Sequence, residues 1–203
     1  MLVNKDQNFL FVHIQKTAGT SITHELLDVV GTEHLYYPHS LLKHVPLTPS
    51  YRDMFVFGFV RNPWDRLVSW YNMSLKKGPI NSFHKYTLDN SNNFSEFMRC
   101  LEVVEEEMDG YISNSIYYKS LKFNQIEYLS DANDQVLAKF IGRFESLQDD
   151  MNLLSQLLQI PFKPLKMINN NLHNDYRMYY KDKDIEWVAK TYEKDINYFN
   201  YSF

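Results

Sequence analysis

The chain has 203 residues, of which 44% are hydrophobic, 16% aromatic and 23% charged, a composition that excludes general disorder and suits a single domain over 1–203. With 21 Lys and Arg against 25 Asp and Glu, the formal charge of -4 excludes a general polyanion binder, so no nucleic-acid partner is expected, while a local basic site for one or two phosphates is compatible with it. Cys100 is the only cysteine, which excludes an intrachain disulfide and a thiolate zinc cluster, and no metal is expected.

The opening MLVNKDQNFLFVHIQK holds an apolar run of only four before His13. That is too short for a signal peptide or a membrane anchor, so a soluble, cytoplasmic protein without membrane contact is expected. The Asn-x-Ser sequons at Asn72, Asn93 and Asn200 then carry no weight. Phe9 to Ile14 (FLFVHI) is nearly continuous, apolar and aromatic or β-branched, as befits a strand buried on both faces of a parallel sheet. Ile22, Leu26, Leu27, Val29 and Val30 follow as a helical stripe stopped by Gly31. A short helical stretch is expected from Ser40 to Val45. Met54 to Val60 (MFVFGFV) reads as a second buried strand. Asn62 can then cap a helix with Pro63 in its first turn, running to about Lys77 before Gly78-Pro79.

Residues 78–122 carry the turn-rich, polar run NSFHKYTLDNSNN and then a helical segment from Phe94 to Val104. This is an expected helical and loop insertion, the segment least like a generic α/β unit. Gln135 to Phe144 reads as a third strand, Leu147 to Leu158 as a helix ended by Ile160-Pro161, and Ile185 to Tyr192 as a last helix. Alternating strands and helices predict an α/β fold with a central parallel sheet flanked by helices.

The first strand runs directly into Gln15-Lys16-Thr17-Ala18-Gly19-Thr20-Ser21 and then a helix. A small-residue turn there leaves backbone N–H groups at the positive end of the helix dipole, an anion site. Gly19 permits close approach of a phosphate, Thr20 and Ser21 add hydroxyls, and Lys16 adds a charge. The competing account is an ordinary capped helix with Lys16 on the surface. A Walker loop would place its lysine after the last glycine, and a Mg²⁺-dependent NTPase wants an acidic residue at the end of the second strand. Here the lysine precedes the glycine, and the second strand ends in Arg61. Arg61 offers a planar fork to an anion, and Ser69, about 9 Å along the helix from Pro63, can add a hydroxyl bond. Arg66 reads as a helix-surface salt-bridge partner, and Trp64 and Trp70 as core.

FVHIQKTAGTSI followed by FGFVRNPWDRLVSWY resembles the two nucleotide signatures of the PAPS-dependent sulfotransferases. The likeness is to the carbohydrate sulfotransferase family that includes heparan sulfate 2-O-sulfotransferase and chondroitin 4-O-sulfotransferase. The tail, from FIGRFESLQDD through NNLHNDYRMYY, resembles small bacterial-type members. The resemblance implies a three-layer P-loop-like fold. It also implies a 5′-phosphosulfate loop at Lys16, Thr17, Ala18, Gly19, Thr20 and Ser21, and a 3′-phosphate site at Arg61 and Ser69. The implied donor is 3′-phosphoadenosine 5′-phosphosulfate (PAPS), with 3′,5′-adenosine bisphosphate (PAP) as product. Gln15 departs from the family's usual proline.

Sulfuryl transfer to an alcohol needs a base for the hydroxyl proton and stabilisation of the leaving phosphate oxygen. Lys16 suits the second role and a histidine the first. His39 is the chosen base. It precedes the short helical stretch, whose dipole would disfavour the imidazolium, and its position 22 residues before Arg61 resembles that of the base histidine in heparan sulfate 2-O-sulfotransferase. His13 reads as a hydrogen-bonded core residue, His24 and His44 as helix-surface residues, and His84 as a residue able to touch the acceptor. His173 and Arg143 have smaller claims to nucleotide contact. The expected acceptor is a hydroxyl of a carbohydrate or small metabolite. The competing functions are a P-loop-like nucleotide kinase and a non-catalytic PAP-binding module.

Overall fold

The computed structural model describes residues 1–31, 33–34, 39–44, 53–79, 81–107, 120–165 and 174–203. Val45, residues 108–119 of the expected insertion and His173 lie outside the described residues. In chain order the elements are β1 (Leu2–Asn4), β2 (Phe9–Val12), α1 (Gly19–Val30), β3 (Glu33–His34) and a 3₁₀ turn at Leu42–His44. β4 (Phe55–Val60), α2 (Pro63–Lys77), α3 (Ser82–Asn90), α4 (Phe94–Glu107) and α5 (Gln125–Tyr128) follow. β5 (Phe140–Arg143), α6 (Leu147–Leu158), a 3₁₀ turn at Tyr176–Tyr179, α7 (Asp182–Thr191) and α8 (Glu193–Phe199) complete the chain. Among the described residues, no helix is long and apolar enough to cross a membrane. The elements group into two compact units, one of Met1–Arg61 with Gln125–Asn170, the other of Asn62–Asn124 with Asn171–Phe203.

The first unit is built on a sheet of order β3-β1-β2-β4-β5. β2, β4 and β5 are parallel, with Val12 beside Gly58 and Val60 beside Arg143. This is the expected parallel centre of an α/β fold. β1 and β3 extend it as antiparallel strands, an addition that three-residue and two-residue segments are too short to announce by pattern.

The continuous apolar character of β2 and β4 follows from burial on both faces. Phe9, Phe11, Phe57 and Phe59 point to one face and pack with Ile22 and Leu26 of α1 and Met151 and Leu154 of α6. Each such ring is worth about 1.5–3 kcal/mol against an exposed one. On the other face Gly58 admits Leu129, whose Cδ2 would lie 2.8 Å from a Cβ at position 58. Gly142 stands beside Phe59 in register, and the Phe59 ring occupies the space its side chain would need.

The second unit grows from α2. Asn62 Oδ1 accepts from the Trp64 N–H at 3.0 Å, Pro63 starts the helix, and the Gly78 N–H donates to the Ser74 carbonyl at its end. Trp64, Leu67, Val68, Trp70 and Tyr71 form its buried face against Phe83, Phe94, Phe97, Leu101, Val188 and Tyr192. Cys100 of α4 is buried in this unit. The run read as turn-rich is in fact α3, started by Asn81, whose Oδ1 accepts from the His84 N–H at 2.9 Å. Its pattern is weak because only Phe83, His84 and Thr87 are buried along it. Arg66 is not on the surface: it is 1% exposed and donates from Nη2 to the Ser120 carbonyl at 3.0 Å.

A Cβ at position 142 would meet Phe59 Cε1 at 2.3 Å. Gly142→Ala is therefore expected to lower stability by about 1–3 kcal/mol in urea denaturation, with the far-ultraviolet spectrum unchanged.

Candidate functional site

Because β2, β4 and β5 run parallel, their carboxyl ends meet at one edge of the sheet, where open α/β sheets bind ligands. β2 delivers the segment His13–Ala18, β4 delivers Arg61, and β5 ends at Arg143. The loop from β2 to α1 turns through two side-chain-bearing residues in the left-handed region, Lys16 (φ 68) and Ala18 (φ 66). Such conformations are costly without glycine and recur at ligand-binding turns. Ala18 is the residue preceding α1 and supplies no side-chain cap. The first helical hydrogen bond runs from the Ile22 N–H to the Ala18 carbonyl. The amides of Gly19 and Thr20 precede that bond, in the first turn of the helix, where backbone donors have no intrahelical partner.

The side chains of the loop divide their tasks. Thr17 is buried, and its hydroxyl donates to the Ile14 carbonyl at 2.9 Å. It tightens the turn, so Thr17 offers an anion its backbone and not its hydroxyl. Ser21 is buried, whereas Lys16 and Thr20 are half-exposed.

Arg61 is held on all sides within the first unit. Its Nη1 donates to the Lys16 carbonyl at 3.3 Å, and its guanidinium lies 3.8 Å from the centre of the Phe144 ring. Its backbone is gripped by Gln125, whose Oε1 accepts from the Arg61 N–H at 2.9 Å and whose Nε2 donates to the Arg61 carbonyl at 2.8 Å. The second cation is thus brought against the first loop. Sequence reasoning missed Gln125 and Phe144: a single amide in Asn124-Gln125-Ile126 carries no periodic or motif signal. The backbone N–H of Arg143 donates to Asp150 Oδ2 at 2.6 Å. Ser69 is buried on α2, in the second unit.

His39 has φ 69, and its Nδ1 lies 3.1 Å from the His13 carbonyl oxygen. Among the described residues the helical stretch after it is the 3₁₀ turn Leu42–His44, and Val45 lies outside them. His39 is oriented by His13. The His13 ring meets the His39 ring edge-on, with centroids 4.4 Å apart. Burial first, then the nearby His39 and the N-terminal amine, holds the His13 imidazole well below its ordinary 6.5. His24 and His44 are exposed, as expected. His84 is 0% exposed in the core of the second unit, so it does not reach an acceptor.

A helix without a side-chain cap follows a lysine-bearing loop at the carboxyl edge of the parallel strands of this α/β protein. The chain matches the sulfotransferase family model over residues 1–202. It therefore belongs to the sulfotransferase family, transferases that move a sulfuryl group to a hydroxyl-bearing acceptor. No curated protein matches it.

Two outcomes follow from these contacts. Gln125→Leu removes both partners of a buried backbone amide and carbonyl and is expected to cost about 2–4 kcal/mol in urea denaturation. His13 stays neutral in the fold but takes a proton in the unfolded chain below about pH 6.5, so its contribution to stability is lost as pH falls. Against His13→Phe, wild-type stability should decline by up to about 1.4 kcal/mol per pH unit below that point, measured by denaturation at pH 7 and pH 5 (about neutral and two units below).

Proposed function

We propose that the chain, acting as one sulfotransferase domain in the cytoplasm, uses PAPS to sulfate a hydroxyl of a carbohydrate or small metabolite. The observation that carries this reading is the pairing of the uncapped α1 loop with Arg61, whose Nη1 binds the Lys16 carbonyl. A donor with two anionic ends suits a protein with a phosphate loop and a separate arginine; the space that Gly19 leaves is taken by the His13 ring. A lysine ahead of the glycine, and an arginine at the end of β4, disfavour Mg²⁺–triphosphate chemistry at this edge.

PAPS supplies the sulfuryl group and a phosphate leaving group. In this reading the amides of Thr17 through Ser21 and the charge of Lys16 hold the 5′-phosphosulfate, and Arg61 and Ser69 take the 3′-phosphate. Nε2 of His39 removes the proton of the acceptor hydroxyl as its oxygen bonds to sulfur. Lys16 and the α1 amides stabilise the charge that develops on the departing phosphate oxygen as its bond to sulfur breaks. The products are a sulfate ester, PAP and a proton, and no metal is needed for any of these roles. The acceptor is read as neutral or lightly charged, in keeping with the net charge of -4.

Calorimetry with PAP, ATP and AMP is expected to give tight binding only for PAP. Tight ATP binding with indifference to PAP would overturn the assignment. With labelled PAPS and a broad acceptor panel, His39→Ala should lower kcat by about 10²–10⁴-fold while PAP binding stays near wild type, and chelation with EDTA should leave transfer unchanged. A wild type that binds donor but transfers to no acceptor, water included, would point to a sensor of the nucleotide.

A further inference from the structure

His13 is where the phosphate loop and the proposed base meet. Its ring stacks on Phe11 with centroids 5.9 Å apart and planes 21° apart. It meets His39 edge-on at 73°. On its other side a Cβ at position 19 would lie 2.0 Å from His13 Cδ2 and 2.2 Å from Nε2, so the ring occupies the space that Gly19 leaves open. Its carbonyl oxygen is the partner of His39 Nδ1.

A carbonyl only accepts, so the Nδ1 of His39 must carry the proton of that hydrogen bond. In the neutral imidazole the lone pair then sits on Nε2. We propose that His13 is the positioning residue of the site: its carbonyl fixes His39 as the Nδ1–H tautomer, and its ring sets the spacing between His39 and the start of α1. This rests on the reading of His39 as the base. The ring is suited to that role because it stays uncharged. It faces His39 and the N-terminal amine, and a second proton on this pair would push the rings apart. The left-handed φ of His39 is the local cost of presenting Nδ1 to that carbonyl.

Long-range ¹H–¹⁵N correlation of the imidazoles in the labelled wild type, assigned with His39→Ala, reads the tautomer directly. A protonated Nδ1 and a bare Nε2 at His39 are expected, and the reverse tautomer would overturn the proposal. His13→Ala removes the ring but keeps the main-chain carbonyl that His39 Nδ1 meets, so the Nδ1–H tautomer should persist while the spacing set by the ring is lost. The variant should lower kcat by about ten- to a hundredfold with PAP affinity within about threefold of wild type. His13→Phe puts an uncharged aromatic ring in the same place and should retain tautomer and kcat. A His13→Ala protein with wild-type kcat would refute the spacing role of the ring. Should that variant not fold, the wild-type tautomer and His13→Phe decide. Transfer that survives His39→Ala removes the base reading, and this proposal with it. The reverse tautomer together with an inactive His39→Ala overturns this proposal alone.

Discussion

The turn from β2 into α1 is the constraint around which the first unit is arranged. Two residues with side chains, Lys16 and Ala18, adopt left-handed backbone there, and nothing in their own chemistry favours it. The conformation persists because its surroundings hold it: the Thr17 hydroxyl ties the turn to Ile14, the Arg61 guanidinium binds the Lys16 carbonyl, and the His13 ring abuts Gly19. Strain of this kind is retained when neighbouring contacts over-determine the geometry. The result is a helix start without a side-chain cap, in a turn fixed by the protein's own contacts.

The second cation is built with the same economy. Arg61 leaves β4 with its main chain bound by Gln125 on both polar groups and its guanidinium flat against Phe144. Holding both the backbone and the side chain removes most of the freedom an arginine would lose on meeting an anion. Phe144 follows directly on β5, and β5 pairs with β4 in parallel. The same register that builds the sheet therefore seats the aromatic ring under the arginine.

The parallel strands, α1, α2 and α6 were legible because each is marked by a dense apolar period bounded by strong punctuation, Gly31, Asn62-Pro63 and Ile160-Pro161. α2 even starts and stops at the residues its signals name, Asn62 and Gly78. β1, β3 and α3 were not legible. The first two are too short to show a period, and α3 hides few apolar side chains, although Asn81 caps it. At the site, the motif residues Lys16, Gly19 and Arg61 were readable from residue type and spacing. The supports were not, since Gln125 and Phe144 act through a backbone clamp and a stacked ring that depend on distant segments meeting. His13 looked like core because a strand-end histidine is ambiguous until its neighbours are known. Arg66 was misread because a charged side chain can be enclosed once a carbonyl accepts from it, as the Ser120 carbonyl does, and His84 because an imidazole can pack in a core like an aromatic ring, here against Trp70.

Cys100 lies buried on α4, and burial raises its thiol above the ordinary range. Little thiolate forms there, and the thiolate is the species that oxidants and alkylating agents attack. The fold has sequestered its one thiol inside the second unit and has no intrachain sulfur cross-link. It is accordingly independent of any intrachain disulfide and of the redox poise that such a bond would require.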